Sequence, residues 1–366
     1  MRLKKRPPDF VLFLTVLMLL SVGLIMVFSS SEYVTMVRYG DSFYFFKKQL
    51  LWALVGLVAM FGMMNFDYYR LKRFIGPIVL VGFALLIAVL LPGIGTETNG
   101  AQRWINLGFM SFSPAELVKL CMIMFVAFGL SKSENIHSFK EGLLPYLVAM
   151  GFAAGLILLQ PDLGTAVVLS GTIFIMLFAA GARVLHLSGL MGLGAVAVAF
   201  AIYFEPYRMR RFLAFMDPEK DPQGTGYHII QSLYALGSGG LFGLGLGQSK
   251  QKFLYLPENH TDFIFAILGE ELGFIGASLV VLLFVVFIWR GLKIAVTSPD
   301  PFASLLAAGI TSGIALQAII NMGVVTGSMP VTGVPLPFIS YGGTSLLFTL
   351  AGIGIILNIS KYTTPR

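Results

Sequence analysis

Charge is the scarcest feature of this sequence. Only 12% of its 366 residues are Asp, Glu, Lys or Arg, about half the share of a soluble domain, and no stretch is polar enough to fold as a separate soluble domain. Cysteine is nearly absent: Cys121 stands alone in an apolar run, which excludes an intrachain disulfide. His137, His186, His228 and His260 lack the spacing of metal ligands, and no zinc motif is present. No internal repeat of about 20–50 residues is visible.

What is abundant is apolar sequence, 57% of the chain with a mean hydropathy of +0.84. It falls into runs near 10–29, 48–65, 74–92, 113–131, 142–160, 163–181, 184–204, 263–289, 302–325 and 338–359, each about long enough to span a bilayer as a helix. The first run follows MRLKKRPPD and precedes VFSSSEYV, a poor cleavage site, so it is expected to remain as the first helix rather than leave as a signal peptide. The expectation is an all-α polytopic integral membrane protein. It has one transmembrane domain over 1–366, ten transmembrane helices, and a long extracytoplasmic loop, 205–262, between helices 7 and 8.

The net charge of +7 then reports topology rather than nucleic-acid binding. Arg2, Lys4, Lys5, Arg6, Arg70, Lys72, Arg73, Lys132, Lys140, Arg183, Arg290, Lys293, Lys361 and Arg366 fall to one side, and the short loops opposite hold Arg38, Lys47, Lys48 and Arg103. The positive-inside rule places both termini in the cytoplasm, in a multi-pass protein of the cytoplasmic membrane. The segment 205–262 mildly opposes this with Arg208, Arg210, Arg211, Lys220, Lys250 and Lys252, but its length is at the edge of the rule's range. Within it, YHIIQSLYALG (227–237) has helical apolar spacing and is expected along the membrane surface. GSGGLFGLGLG (237–247) lacks a preceding strand and a P-loop lysine, so it reads as a close-packed turn rather than a phosphate cradle.

Ionisable groups at membrane depth are costly, about 2.5–3.5 kcal/mol or more each, and so mark functional positions. Glu116 and Lys119 in SFSPAELVK share a helical face and read either as a structural ion pair or as the polar wall of a cavity. Asp162 in QPDLG is a turn former or a site residue. Arg103, beside Trp104, is an interfacial anchor or a bidentate phosphate ligand. The Pro- and Gly-rich stretch MGVVTGSMPVTGVPLPFISYGGTS (322–345) reads as irregular backbone lining a groove. Asp262 opens the eighth span, where aspartate is a good helix cap and also a good base. Glu270 lies about 80° around that helix and Glu271 on the far side, so the two need separate partners.

NGAQRWI, SFSPAELVK, QPDLGTA, DPQGTGYHIIQS, LGLGQSKQKFLYLPENHTDFIFAILGEELG and GVVTGSMPVTGVPLPFISYGGTS together resemble the SEDS family (shape, elongation, division and sporulation). The resemblance spans nearly the whole chain and is closest to the FtsW/SpoVE branch. It implies a peptidoglycan glycosyltransferase that polymerises lipid II into β-1,4-linked glycan strands at the outer membrane face, for cell division or spore cortex synthesis. It also implies a class B penicillin-binding protein as transpeptidase partner, further division or sporulation proteins as partners, and a divalent cation, Mg or Mn, as cofactor. The family's essential aspartate falls on Asp262, its polar pair on Glu116 and Lys119, and its QPDLG aspartate on Asp162. Arg103, Arg210, Arg211 and Lys252 are the external cations expected to meet the substrate pyrophosphate. A lipid II flippase and a non-catalytic scaffold are the competing readings.

Overall fold

The computed structural model describes residues 6–98, 101–106, 108, 111–133 and 135–363. The topological charges Arg2, Lys4, Lys5 and Arg366 lie outside the described residues. Helices form over the apolar runs: α1 Phe10–Tyr39, α2 Tyr44–Asn65, α3 Tyr68–Ala88, α4 Pro114–Leu130, α5 Leu144–Leu158 (entered through a π turn, Phe139–Leu143), α6 Leu163–Ala179 and α7 Val184–Tyr203. The order continues with α8 Pro206–Met216, α9 Tyr227–Gly239, α10 Ile264–Thr297, α11 Pro301–Val325 and α12 Gly343–Ser360. Among the described residues eight helices are long and apolar enough to cross a membrane. The remaining two of the ten expected spans fall on the 17-residue helices α4 and α6.

Local chemistry sets the helix ends. The Asp9 carboxylate accepts from Leu12 N–H to cap α1, and α1 stops at Gly40, whose left-handed φ of 70° allows its N–H to reach Met36 O. Asp67 caps α3 through Tyr69 N–H. Helix α11 lies at the centre, buried along most of its length against α10, α6, α4 and α12, whereas α7 buries only Leu187. Val58, Leu80, Leu185 and many other large apolar side chains face outward. Such a belt is an aggregation hazard in water and the natural surface of a protein solvated by lipid.

The chain is not wholly helical. The stretch between α3 and α4 carries a three-stranded antiparallel sheet, β1 Gly95–Thr98, β2 Ala101–Asn106 and β3 Ser111–Phe112, in the order β1-β2-β3. Gly95 pairs with Ile105, and Ile105 with Phe112. These strands are short and lack clean apolar alternation, so the sequence reads as loop there.

Helix α10 is broken at Gly273, whose φ of 68° and ψ of −171° are not helical. The break frees backbone groups, and the glycine-rich turn 240–245 takes them up. Leu244 and Gly245 N–H donate to Glu270 and Glu271 O, each at 3.0 Å, while Phe274 and Ile275 N–H donate to Gly240 and Leu241 O at 2.8 and 3.2 Å. Helix α9 packs on the same half-helix rather than lying alone on the surface: Ile229, Ser232, Ala235 and Gly239 are buried, and Ser232 Oγ donates to Val325 O at 2.7 Å.

Candidate active site

The segments 255–263 and 326–342 are sewn together by side chains. Asn321 Nδ2 donates both to Asp262 O and to Val334 O at 2.8 Å. Ser340 Oγ donates to Thr261 O at 2.6 Å and accepts from Leu336 N–H at 2.8 Å. Tyr341 N–H donates to His260 O at 2.9 Å. These bonds fix the backbone on both sides of Asp262 and leave its side chain free: among the described residues its carboxylate has no hydrogen-bond partner. Gly333 (φ 76°) crosses the carboxylate so closely that a Cβ there would stand 3.5 Å from Asp262 Oδ2.

Asp262 does not cap α10. The N-cap position is Phe263, and no side chain bonds the first turn. Thr261, one residue earlier, does not cap the helix either: its hydroxyl turns to Glu258 O and Oε2 at 3.3 and 3.0 Å. The half-buried Asp262 carboxyl is pushed up to about 7, first by burial and then by the Glu258 charge, against the pull of Arg211 and Arg103 and with a further push from Asp162. Asp162, Arg103 and Arg211 are therefore brought into the electrostatic neighbourhood of Asp262.

Each does more than sit nearby. Asp162 caps α6, accepting from Thr165 N–H and Oγ1, both at 3.0 Å, so it is a helix cap as well as a member of the cluster. Arg103 projects from β2. Its Nε donates to Gln160 O at 3.0 Å, an Nη donates to Pro161 O, and another Nη stands 3.8 Å from Asp162 Oδ2. The sheet thus clamps the turn into α6. Arg211 Nη1 donates to Val331 O at 3.3 Å and its guanidinium covers the Tyr207 ring at 4.4 Å. Arg210, one residue earlier on α8, is exposed and, among the described residues, makes no hydrogen bond or ion pair with this cluster.

Lys252, expected among the cations that meet pyrophosphate, is 2% exposed. Its Nζ donates to Gly247 O at 2.6 Å and pairs with Glu271 Oε1 at 3.5 Å, so its ammonium is spent inside the protein. Glu271 also accepts from Ser29 Oγ at 2.7 Å and Ser249 N–H at 3.3 Å. Glu270 accepts from Ser249 Oγ and from Lys250 and Gln251 N–H at 2.9 and 3.4 Å. The two carboxylates share Ser249, through its N–H and its hydroxyl, and otherwise have different partners; both fasten the long loop to the broken helix.

Glu116 and Lys119 pair at 2.9 Å and line a cavity of about 50 Å³ with Thr172, Gln317 and neighbouring apolar side chains. Lys119 Nζ donates to Gln317 Oε1 at 3.0 Å, and Gln317 Nε2 donates to Pro335 O at 2.9 Å. The pair is thereby connected to the strand of backbone that faces Asp262.

Sequence reading singles out neither Glu258 nor His260. Glu258 is a second carboxylate four residues before Asp262, a spacing visible in the sequence. The His260 ring stacks on Phe45 at 4.5 Å, and burial holds it well below the usual imidazole range. A cleft of about 410 Å³ opens beside Thr261, lined by Lys48, Trp52, Trp104, Asn106, Tyr341 and neighbouring residues. Among the described residues no three His, Cys, Asp or Glu side chains converge as a metal site.

Fold and site define a polytopic membrane protein with a carboxylate-and-arginine centre at one end of its helix bundle. The chain belongs to the FtsW/RodA/SpoVE family of cell cycle proteins, whose model matches residues 10–365. It is 50% identical over 364 residues to stage V sporulation protein E of Bacillus subtilis strain 168, covering 99% of this chain and 100% of that one. It is 45% identical over 356 residues to a probable peptidoglycan glycosyltransferase FtsW of Trichlorobacter lovleyi, covering 96% and 93%. Among solved structures it is similar to a chain of a peptidoglycan synthase complex that coordinates polymerization and crosslinking (TM-score 0.78, 29% identity, 96% and 97% coverage). It is also similar to the rod shape determining protein RodA of Thermus thermophilus (TM-score 0.72, 28% identity, 98% of both chains).

Proposed function

We propose that the protein is a peptidoglycan glycosyltransferase that polymerises lipid II at the outer face of the cytoplasmic membrane, with Asp262 as general base. The observation that carries this reading is the Asp262 carboxylate itself. It is anchored through its backbone, free at its side chain, raised to about 7, and neighboured by two arginines. A base with a pKa near the working pH combines a useful ionised fraction with proton affinity.

In the reaction the acceptor sugar's 4-hydroxyl attacks the donor's anomeric carbon from the face opposite the pyrophosphate. The new C–O bond forms as the bond from the anomeric carbon to pyrophosphate oxygen breaks. The hydroxyl proton passes to Asp262, and the α linkage becomes β-1,4. Pyrophosphate departs without a general acid. Arg211 and Arg103 offset its charge, Arg211 with more freedom because Arg103 is already clamped to the 160–162 turn. The aromatic walls of the cleft beside Thr261 suit sugar faces, and the exposed apolar helices suit the polyprenyl tails. No step is routed through a divalent cation.

The likeness to a synthase-complex chain supports a crosslinking partner, a class B penicillin-binding protein. Eight spans together with α4 and α6 make ten crossings, with both termini cytoplasmic. A flippase would need a passage for a disaccharide headgroup. The cavity at Glu116 and Lys119 has room only for a few waters, which favours the polymerase. The test is purified protein with labelled lipid II and no nucleotide: glycan polymer on a gel supports the reading, and its absence for wild type with its partner overturns it.

A further inference from the structure

At the end of the bundle opposite Asp262 lies a second polar pocket that glycosyl transfer does not use. Helix α4 starts beside β3 and α6 starts at Asp162, so the described residues that follow them, 131–133 with 135–138 and 180–183, meet about 25 Å away, one helix length on. Between them is a pocket of about 470 Å³ lined by Asn135, His137, Ser138, Phe139, Arg183 and His186.

Arg183, His186 and Ser138 keep polar groups unspent, whereas the Asn135 amide is spent on Glu141. Arg183, the N-cap residue of α7, is exposed, and its guanidinium has no ion pair or hydrogen bond among the described residues. His186 Nδ1 is buried without a hydrogen-bond partner, and the ring is held edge-on to Phe139, centroids 5.6 Å apart. Ser138 occupies an N-cap position yet makes no capping bond. The N–H groups of Val184 and Leu185 at the start of α7 add positive potential, while that of His186 donates to Arg183 O at 3.0 Å. Among the described residues Glu141 is the nearby acid, and it is exposed and engaged by Asn135 Nδ2 at 3.1 Å. A guanidinium, two imidazoles, a hydroxyl and a helix start around one cavity are the donor set of a phosphate site. A merely snorkelling arginine would need no built pocket and would leave no buried imidazole nitrogen waiting.

The pocket's flanks say where the phosphate comes from. Val184, Leu185, Phe139 and Leu144 beside it are exposed apolar side chains on two helices long enough to be spans, so the mouth stands at the boundary between hydrocarbon and water. We propose that this pocket binds a phosphate group, presented by an anionic phospholipid headgroup rather than by a free phosphate ester, through Arg183 and His186.

The test uses full-length protein in neutral maltoside detergent, titrated with dioctanoyl phosphatidylglycerol, with inorganic phosphate and with dioctanoylglycerol, and binding is read directly by calorimetry. Phosphatidylglycerol is expected to bind saturably and dioctanoylglycerol not at all. Arg183→Gln is expected to weaken binding about tenfold or more, the loss of a charge-assisted pair. Arg183→Lys should weaken it less, His186→Ala should weaken it, and Lys293→Gln, an exposed cation at the same end outside the pocket, should leave it unchanged. Arg183 is exposed, so its variants fold, and unliganded melting checks this. Phosphate binding as tightly as the lipid would overturn the lipid source while keeping the anion site. Equal phosphatidylglycerol affinity in wild type, Arg183→Gln and His186→Ala, or no saturable binding by wild type, overturns the site. None of these outcomes depends on polymerase activity.

Discussion

Asp262 is held between opposing charges. Burial and Glu258 push its carboxyl up, Arg211 and Arg103 pull it down, and the balance stands at about 7. Two pH dependences of opposite sign follow. As a base it works ionised, so polymerisation is expected to rise with pH through a limb near 7. For stability, a carboxyl raised above its ordinary value of 3.8 binds its proton more tightly folded than unfolded. Its contribution is full below about 4 and is lost as pH climbs through about 7. Asp262→Asn should abolish that stability slope and lower the polymerisation rate about 10²–10⁴-fold while melting as high as wild type at pH 8. An Asp262→Asn enzyme of near wild-type rate would sink the base assignment. Glu258→Gln, by removing a repelling charge, should move the rate limb to lower pH, and Arg211→Ala should move it higher. Asp262 itself stands out in the sequence as a charge at a helix mouth. Its freedom from capping does not, because that depends on where α10 starts and on the bonds to Asn321 and Ser340 from a segment some sixty to eighty residues away.

At the scale of elements, the break in α10 is a joint made by two glycines and three buried polar side chains, Lys252, Glu270 and Glu271. A Cβ at Gly243 would lie 2.1 Å from Glu271 O, and one at Gly273 would lie 2.3 Å from Gly243 N. Both glycines have positive φ, so Gly243→Ala or Gly273→Ala should lower the melting temperature by far more than a surface change does. Lys252→Met strands Glu271, a carboxylate 1% exposed, at a cost of about 3–5 kcal/mol. The expected signature is lost stability, with lipid II affinity unchanged in the protein that remains folded. A phosphate-binding lysine would give the reverse. The close-packed turn is legible in the sequence from 240 on, since glycine density is a local property, but the start of the 237–247 stretch, 237–239, closes α9 instead, and Glu270 and Glu271, expected to need separate partners, share Ser249. Lys252 reads wrongly there because its neighbours Lys250 and Gln251 look like solvent-exposed loop, and only tertiary contact shows the ammonium turned inward. The sheet at 95–112 escapes sequence reading for a related reason: strands this short are set by pairing partners and by Arg103 reaching the 160–162 turn, not by alternation.

The whole molecule has two chemically different ends. Asp262, Arg103, Asp162 and Arg211 gather at the first. At the second, Arg290 grips the Asp9 carboxylate, Lys72 pairs with Asp300 at 3.3 Å, Arg70 and Arg73 stand on the first turns of α3 and Lys293 near the end of α10, and the short turns hold Lys132, Lys140 and Arg183. The long segment 205–262 carries cations at the first end, but Lys252 is neutralised inside it and long segments weigh little in the positive-inside rule. The basic short turns should therefore face the cytoplasm and Asp262 the exterior, where lipid II presents its sugars. Single cysteines distinguish the two orientations in a Cys121→Ala background, which removes the one native thiol. Gln248→Cys sits exposed at the first end and Lys140→Cys exposed at the second. In intact spheroplasts a membrane-impermeant thiol reagent should modify Gln248→Cys and spare Lys140→Cys, and lysis should make both reactive. The opposite pattern would put Asp262 on the cytoplasmic side, where an outer-face polymerase has no use for it, and would return the flippase to first place even with every distance around Asp262 unchanged.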